Sequence, residues 1–242
     1  MHRRAFVAAA LPGGAWARGV ARHHPVDVAL VLAADVSSSM DDDEVLLQRD
    51  GCRAALTGAE VLGRVAAGTH GAIAVAWIDW SGLEFQQVVL PWARIDGPSS
   101  AATWADALAR APLPPPGRRR GTSISGGIDS ALRLLAALPW PATRRVIDIS
   151  GDGVNNSGRP VEALRDQALD LGVTINGLVI EGTDPRLGGV APPGRLADYF
   201  RDTVIGGQGA FVLETHGFGD FATAMRRKLV REIAGHPPMA AV

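Results

Sequence analysis

The sequence predicts an α/β domain with a doubly wound, mostly parallel central sheet, helices on both faces and one antiparallel edge strand. Three observations predict it. Helical and extended patterns alternate along most of the chain, which is the signature of helices crossing between parallel strands. The extended segments, Val28–Ala33 foremost, are apolar along both of their faces, as strands covered on both sides are. A single pair of them, Gly71–Trp80 and Phe85–Trp92, is joined by a short turn at Ser81-Gly82, so one neighbour returns antiparallel. The 242 residues, 47% of them apolar, fit one such domain over residues 26–234.

Residues 1–17 read as a removable secretory signal rather than as part of the fold. His2-Arg3-Arg4 is basic, Ala5–Leu11 is apolar, and Ala15-Trp16-Ala17 has the small-x-small form of a cleavage site. Arg3-Arg4-Ala5-Phe6-Val7 also resembles a twin-arginine export motif, with His2 departing from its usual residue. The expected location is therefore periplasmic or secreted. No apolar run reaches the ~18 residues that a membrane span needs. The formal charge of −1 argues against nucleic acid as a main partner. Cys52 is the only cysteine, so no disulfide forms within the chain, and its helical setting reads as a small buried hydrophobe.

After the first strand, Asp41 to about Leu56 reads as a helix whose acidic first turn suits the positive end of the helix dipole. The hairpin follows, and its tip lies at the edge where the parallel strands end. Trp80 and Ser81 are therefore candidates for the rim of a site there, although Trp77, Trp80 and Trp92 also read as packing residues. Ser99–Ala111 reads as a helix. Four prolines between Pro112 and Pro116 exclude helix and strand interior, so 112–120 is a surface loop. Arg118, Arg119 and Arg120 read as solvated residues or as an attraction for anions.

Ser123–Leu138 reads as a helix, Thr143–Ser150 as a strand and Val161–Leu171 as a helix. A strand at Gly172–Ile180, a loop at 181–194, a helix at Arg195–Val204 and a strand at Gly209–Leu213 follow. Phe218, Phe221, Met225, Leu229 and Ile233 recur at spacings of three and four, which predicts a closing amphipathic helix over Phe218–Ile233. Residues 235–242 read as a frayed tail.

Three loops carry hard oxygen donors just past predicted strand ends. The first is Asp35-Val36-Ser37-Ser38-Ser39. The second holds Thr122, immediately before a helix. The third holds Asp152 between Gly151 and Gly153. Carboxylates and hydroxyls of this kind suit Mg²⁺, with Mn²⁺ or Ca²⁺ as alternatives. Sheets of this class bind ligands beyond the carboxyl ends of their strands, which is where all three loops fall.

Asp-x-Ser-x-Ser, a Thr from a second loop and an Asp from a third, in this order and context, resemble the metal-ion-dependent adhesion site of the von Willebrand factor A (VWA) fold, a Rossmann-like architecture. The chain is most similar to a secreted bacterial VWA family of unknown function. The resemblance implies metal-site residues Asp35, Ser37, Ser39, Thr122 and Asp152, with a position left open for an acidic side chain of a partner protein. Ser39-Met40-Asp41-Asp42-Asp43 is similar to the integrin β-subunit form of the site, which implies a second ion at Asp42 and Asp43. In integrin-type VWA domains the last helix can slide and couple to the ion site. Asn155, Asn156 and Ser157 read as turn builders, with Asn155 also a candidate for the ligand rim.

The function expected from these residues is divalent-metal-dependent protein binding of an adhesion or scaffold type, not catalysis. Two other classes stay open. A metal-dependent hydrolase would need a general base near the ion, for which Asp152 or Asp79 could serve, and no His falls in the three loops. A carbohydrate or small-anion binder would use the same site, although no phosphate-binding glycine loop is present.

Overall fold

The computed structural model describes residues 24–115, 117, 119–181, 196–216 and 218–235. The signal-like segment 1–17, all but the first residue of the 181–194 loop and residues 236–242 of the tail lie outside them.

Six strands form one sheet in the order β3-β2-β1-β4-β5-β6. They are β1 (Val26–Asp35), β2 (Ile73–Trp80), β3 (Gln86–Ile95), β4 (Ala142–Gly151), β5 (Val173–Glu181) and β6 (Val212–His216). Every pairing is parallel except that of β2 with β3, which places the antiparallel strand at one edge. The chain winds outward from β1 in one direction through β2 and β3, then crosses back to lay β4, β5 and β6 on the other side. The order therefore reverses between β1 and β4, and the loops leaving those two strands diverge and open a crevice.

Helices cover both faces. On one face lie α1 (Asp42–Thr57), α2 (Ala59–Ala66), α3 (Pro98–Arg110) and α7 (Phe221–Ala234). On the other lie α4 (Ile124–Ala136), α5 (Val161–Asp170) and α6 (Leu196–Tyr199). The central strands alternate their side chains between two apolar layers. Val28, Leu30 and Leu32 join Cys52, Leu56 and Leu229 on one side. Val31, Ala33 and Ile147 join Ile128, Leu164 and Phe200 on the other. No helix of the described residues is long and apolar enough to cross a membrane.

Three elements differ from the sequence reading. Residues 59–66 form a separate helix that the pattern did not announce. Gly58 ends α1, its N–H bonding Ala55 O, and the chain restarts as α2 to bury Val61 and Val65. The last strand begins at Val212 instead of Gly209. Gly207 and Gly209 hold φ of 97° and 70°, a left-handed turn open chiefly to glycine, and this keeps them out of the ladder. The segment after α6 widens into a π-helical turn, Phe200–Val204, with Ile205 N–H reaching Phe200 O at 3.0 Å.

Candidate metal centre

The first loop is shaped by its own carboxylate. Asp35, the last residue of β1, is fully buried, and its Oδ1 accepts from Ser37 N–H at 2.7 Å. That bond curls the chain so that Ser37 and Ser39 face one another, with 3.0 Å between their Oγ atoms. Ser39 Oγ then donates to Asp152 Oδ1, 113 residues away, at 2.8 Å. The crevice between β1 and β4 thus brings Ser37, Ser39 and Asp152 together, with Asp35 beneath them.

Thr122 is fastened to the loop that carries Asp152. Its N–H donates to Asn156 Oδ1 at 2.8 Å, and its carbonyl accepts from the N–H groups of Asn156 and Ser157 at 2.9 and 3.2 Å. The hairpin tip braces the same segment, since Ser81 O accepts from Ser123 N–H at 2.7 Å. Ser123 Oγ caps α4 by accepting from Gly126 N–H. Thr122 is 7% exposed and sits over Gly153. Asn155 Oδ1 accepts from Ser125 N–H, and Asn155 N–H donates to the Tyr199 hydroxyl, so this residue ties its loop to α4 and α6.

Electrostatics mark the site as short of positive charge. Burial, and then the neighbouring Asp152, push the Asp35 carboxyl well above the usual range. Burial raises Asp152 as well, against the Ser39 hydrogen bond. Asp35 Oδ2 is buried with no hydrogen-bond partner. Two converging carboxylates, one with an orphaned oxygen, make a group that a cation would complete. The oxygens are also close together: Ser37 Oγ and Ser39 Oγ stand 3.0 Å apart and Ser39 Oγ and Asp152 Oδ1 2.8 Å apart, so Ser37, Ser39 and Asp152 would be the residues to hold a small cation. No cluster of three His, Cys, Asp or Glu able to hold a metal occurs among the described residues, so the hydroxyls are indispensable to any such site.

Several residues near the site have other duties. Asp41 caps α1 reciprocally with Glu44. Asp42 pairs with Arg119, a guanidinium that is 5% exposed rather than solvated as the sequence suggested. Asp43 is exposed on the first turn of α1. Trp80 and Ser81 are fully buried and lie beneath the loops instead of at a rim. The Trp80 ring fills the space that side chains at Gly127 and Gly151 would take. Asp79 is turned away, to Arg49 at 2.8 Å and Trp77 Nε1 at 2.7 Å.

Residues 25–237 match the family described as "Protein of unknown function (DUF1194)". The chain belongs to the DUF1194 family. No curated protein matches it. Among solved structures, the DUF1194 chain is similar to proximal thread matrix protein 1 from the mussel byssus, in a form with a zinc-occupied adhesion-site motif, at TM-score 0.63 and 15% identity. That likeness covers 86% of this chain and 48% of the other. It is similar to the pilus adhesin SpaC of Lactobacillus rhamnosus GG at 0.62 and 14%, over 86% and 31%. It is similar to a von Willebrand factor type A protein from Catenulispora acidiphila at 0.56 and 16%, over 86% and 43%. The DUF1194 chain therefore has the VWA fold, and it spans less than half the length of these neighbours.

Proposed function

We propose that this DUF1194 chain is a divalent-cation-dependent protein-binding module working outside the cytoplasm. One observation carries the reading: Ser39 Oγ lies 3.0 Å from Ser37 Oγ and 2.8 Å from Asp152 Oδ1, beside a buried Asp35 whose Oδ2 has no hydrogen-bond partner. Ser37 Oγ, Ser39 Oγ and Thr122 Oγ1 would bind the ion, with Mg²⁺ the first choice and Mn²⁺ or Ca²⁺ next. Asp35 and Asp152 would hold its waters, or one of them would ligate. The cation would supply positive charge to the buried acids and a position for an incoming carboxylate. Few charged ligands leave such an ion electrophilic, so an acidic side chain of a partner protein completes it. The neighbours described as a pilus adhesin and a byssal matrix protein support binding rather than catalysis, and an extracellular or envelope setting.

A water-activating role fits less well. Arg49 and Trp77 occupy Asp79, while His24 and His70 are exposed and His70 N–H is held by Asp27 at the other end of the sheet.

Calorimetric titration tests the reading. The wild-type chain should bind one Mg²⁺, and EDTA should abolish it. Asp35→Asn keeps an oxygen for Ser37 N–H but removes the charge. It should weaken Mg²⁺ about 10–100-fold without lowering metal-free stability, because the repulsion with Asp152 goes too. A wild-type chain that binds none of Mg²⁺, Mn²⁺ and Ca²⁺ overturns the proposal.

A further inference from the structure

Two consecutive buried residues of α1 grip the ends of every strand around the crevice. Gln48 is 1% exposed. Its Nε2 donates to Asp35 O at 2.8 Å and its Oε1 accepts from Ser150 Oγ at 3.3 Å. These two contacts lie at the point where pairing stops. The β1–β4 ladder ends with Ala34 opposite Ser150, and beyond it the strands part toward Ser37 on one side and Asp152 on the other. No backbone ladder holds those loops in register, whereas Gln48 spans the fork with both ends of one amide.

Arg49, 2% exposed, extends the grip. Its guanidinium donates to Asp79 Oδ2 at the end of β2, and to Ala111 O at 2.8 Å and Pro112 O at 3.2 Å. The last two open the proline-rich segment that leads to Thr122. The side chains of 48 and 49 thus reach β1, β4, β2 and the Thr122 loop from one turn of helix. Nearby, Arg119 donates to Met40 O, between Ser39 and the start of α1.

We propose that Gln48, with Arg49 beside it, is a positioning residue that sets the separation of the Ser37–Ser39 and Asp152 loops and so the affinity of the site for its cation. The inference rests on the cation-binding reading above. Mg²⁺ demands near-ideal octahedral geometry, so a site built on three separate loops needs its spacing fixed before the ion arrives. Backbone pairing cannot do this past the fork, and Gln48 does it through the backbone of Asp35 and the residue two before Asp152.

The experiment measures Mg²⁺ affinity by calorimetry on folded protein, with thermal melts alongside. Gln48→Met keeps the volume and removes both bonds. Its Mg²⁺ affinity should fall about 10–100-fold. Leu56→Val loosens the same helix at a fully buried apolar position. It should lower the melting temperature yet leave Mg²⁺ affinity within about twofold, which separates positioning from general loss of stability. Ser150→Ala should weaken Mg²⁺ as well, and the double variant should be no weaker than Gln48→Met alone, because both cut one clamp. Ser150→Ala also carries the test should Gln48→Met not fold. Wild-type affinity in Gln48→Met or Ser150→Ala overturns the inference, as does an equal loss in Leu56→Val. A wild-type chain that binds no divalent ion fails the function reading itself, and the positioning role falls with it.

Discussion

Gly151 shows at the residue scale how tightly the centre is packed. A Cβ there would stand 3.0 Å from Asp35 Oδ2 and 3.4 Å from both Asp35 Cβ and Trp80 Cζ2. Neither neighbour is a flexible tip that can swing aside, since both residues are fully buried. Gly151→Ala should therefore displace the Asp35 carboxylate and cost about 1–3 kcal/mol, typical of overpacking, with a matching loss of Mg²⁺ affinity. Urea unfolding and calorimetry on the same sample check both. Residues of this kind were legible where spacing carries the information. Asp35, Ser37 and Ser39 lie within five positions of each other, and Asp152 is marked by flanking glycines. Gln48 and Arg49 were not legible, because one polar residue on a helix has no spacing to read and its partners lie up to 102 residues away. Trp80 followed the rule that places it at the carboxyl edge of the sheet. Its direction could not be read, because it depends on the glycines at 127 and 151 that make room for the ring.

At the scale of elements, α7 is fixed to the sheet by a polar bolt. Lys228 is fully buried between Asp148 of β4 at 2.8 Å and Glu232 of its own helix at 2.6 Å. Asn176 of β5 donates to Glu232 at 2.8 Å and accepts from Phe211 N–H. Cys52 of α1 faces the same cluster, and Arg144 donates to the α7 carbonyls of Glu232 and Ile233. Were both acids ionised, they would outnumber the one ammonium in this buried cluster. Burial, opposed by Lys228 and reinforced by Glu232, lifts the Asp148 carboxyl to about 7. Burial alone would lower the Lys228 ammonium, but the two carboxylates outweigh it and raise it. The folded chain holds the Asp148 proton between about pH 4 and 7, where the unfolded chain has released it. Its contribution is thus fully present below about pH 4 and is lost as pH rises to about 7. The loss is a few kcal/mol at most. Asp35 and Asp152 slope the same way in metal-free protein, so Asp148→Asn should flatten part of the decline, measured by urea unfolding in EDTA across that range. The apolar stripe of α7 was readable from Phe221, Met225, Leu229 and Ile233 because it repeats with the helix. Lys228 and Glu232 sit on the same face and, read as charges, would have been placed in solvent. The eight residues of α2 offered only Val61 and Val65 as a stripe, too short a pattern to separate from a loop.

On the cation-binding proposal the two ends of the sheet have different roles across the whole molecule, so stability and Mg²⁺ affinity should be separable. At the carboxyl end, β1, β4 and the segment before α4 converge on Ser37, Ser39, Asp152 and Thr122. At the amino end, Asp27 folds the turn before β2, accepting from His70 N–H at 3.0 and 3.1 Å and from Ala72 N–H at 3.4 Å. Eight residue steps lead from Asp27 to Asp35, a rise of about 26 Å, and the two carboxylates share no hydrogen-bond partner among the described residues, so changes at the two sites should add independently. The alternation of apolar strands with helices made this polarity legible in advance, because a parallel sheet puts all its carboxyl ends together. Asp27→Ala should cost about 1–3 kcal/mol, as loss of a carboxylate that accepts from backbone N–H groups does. Mg²⁺ at a hundred times its dissociation constant should add about 2.7 kcal/mol to the wild-type chain, a rise of roughly 5–10 °C in melting temperature for a domain of this size. The same increment should appear in Asp27→Ala from its lower baseline, and it should fall to about 0.4–1.4 kcal/mol in Asp35→Asn, from an undiminished baseline, at the same Mg²⁺ concentration. Melts of the three proteins with Mg²⁺ and with EDTA read both quantities. An increment that shrinks in Asp27→Ala would mean that the far end of the sheet communicates with the ion loops, and the separation of roles argued from the topology would be lost.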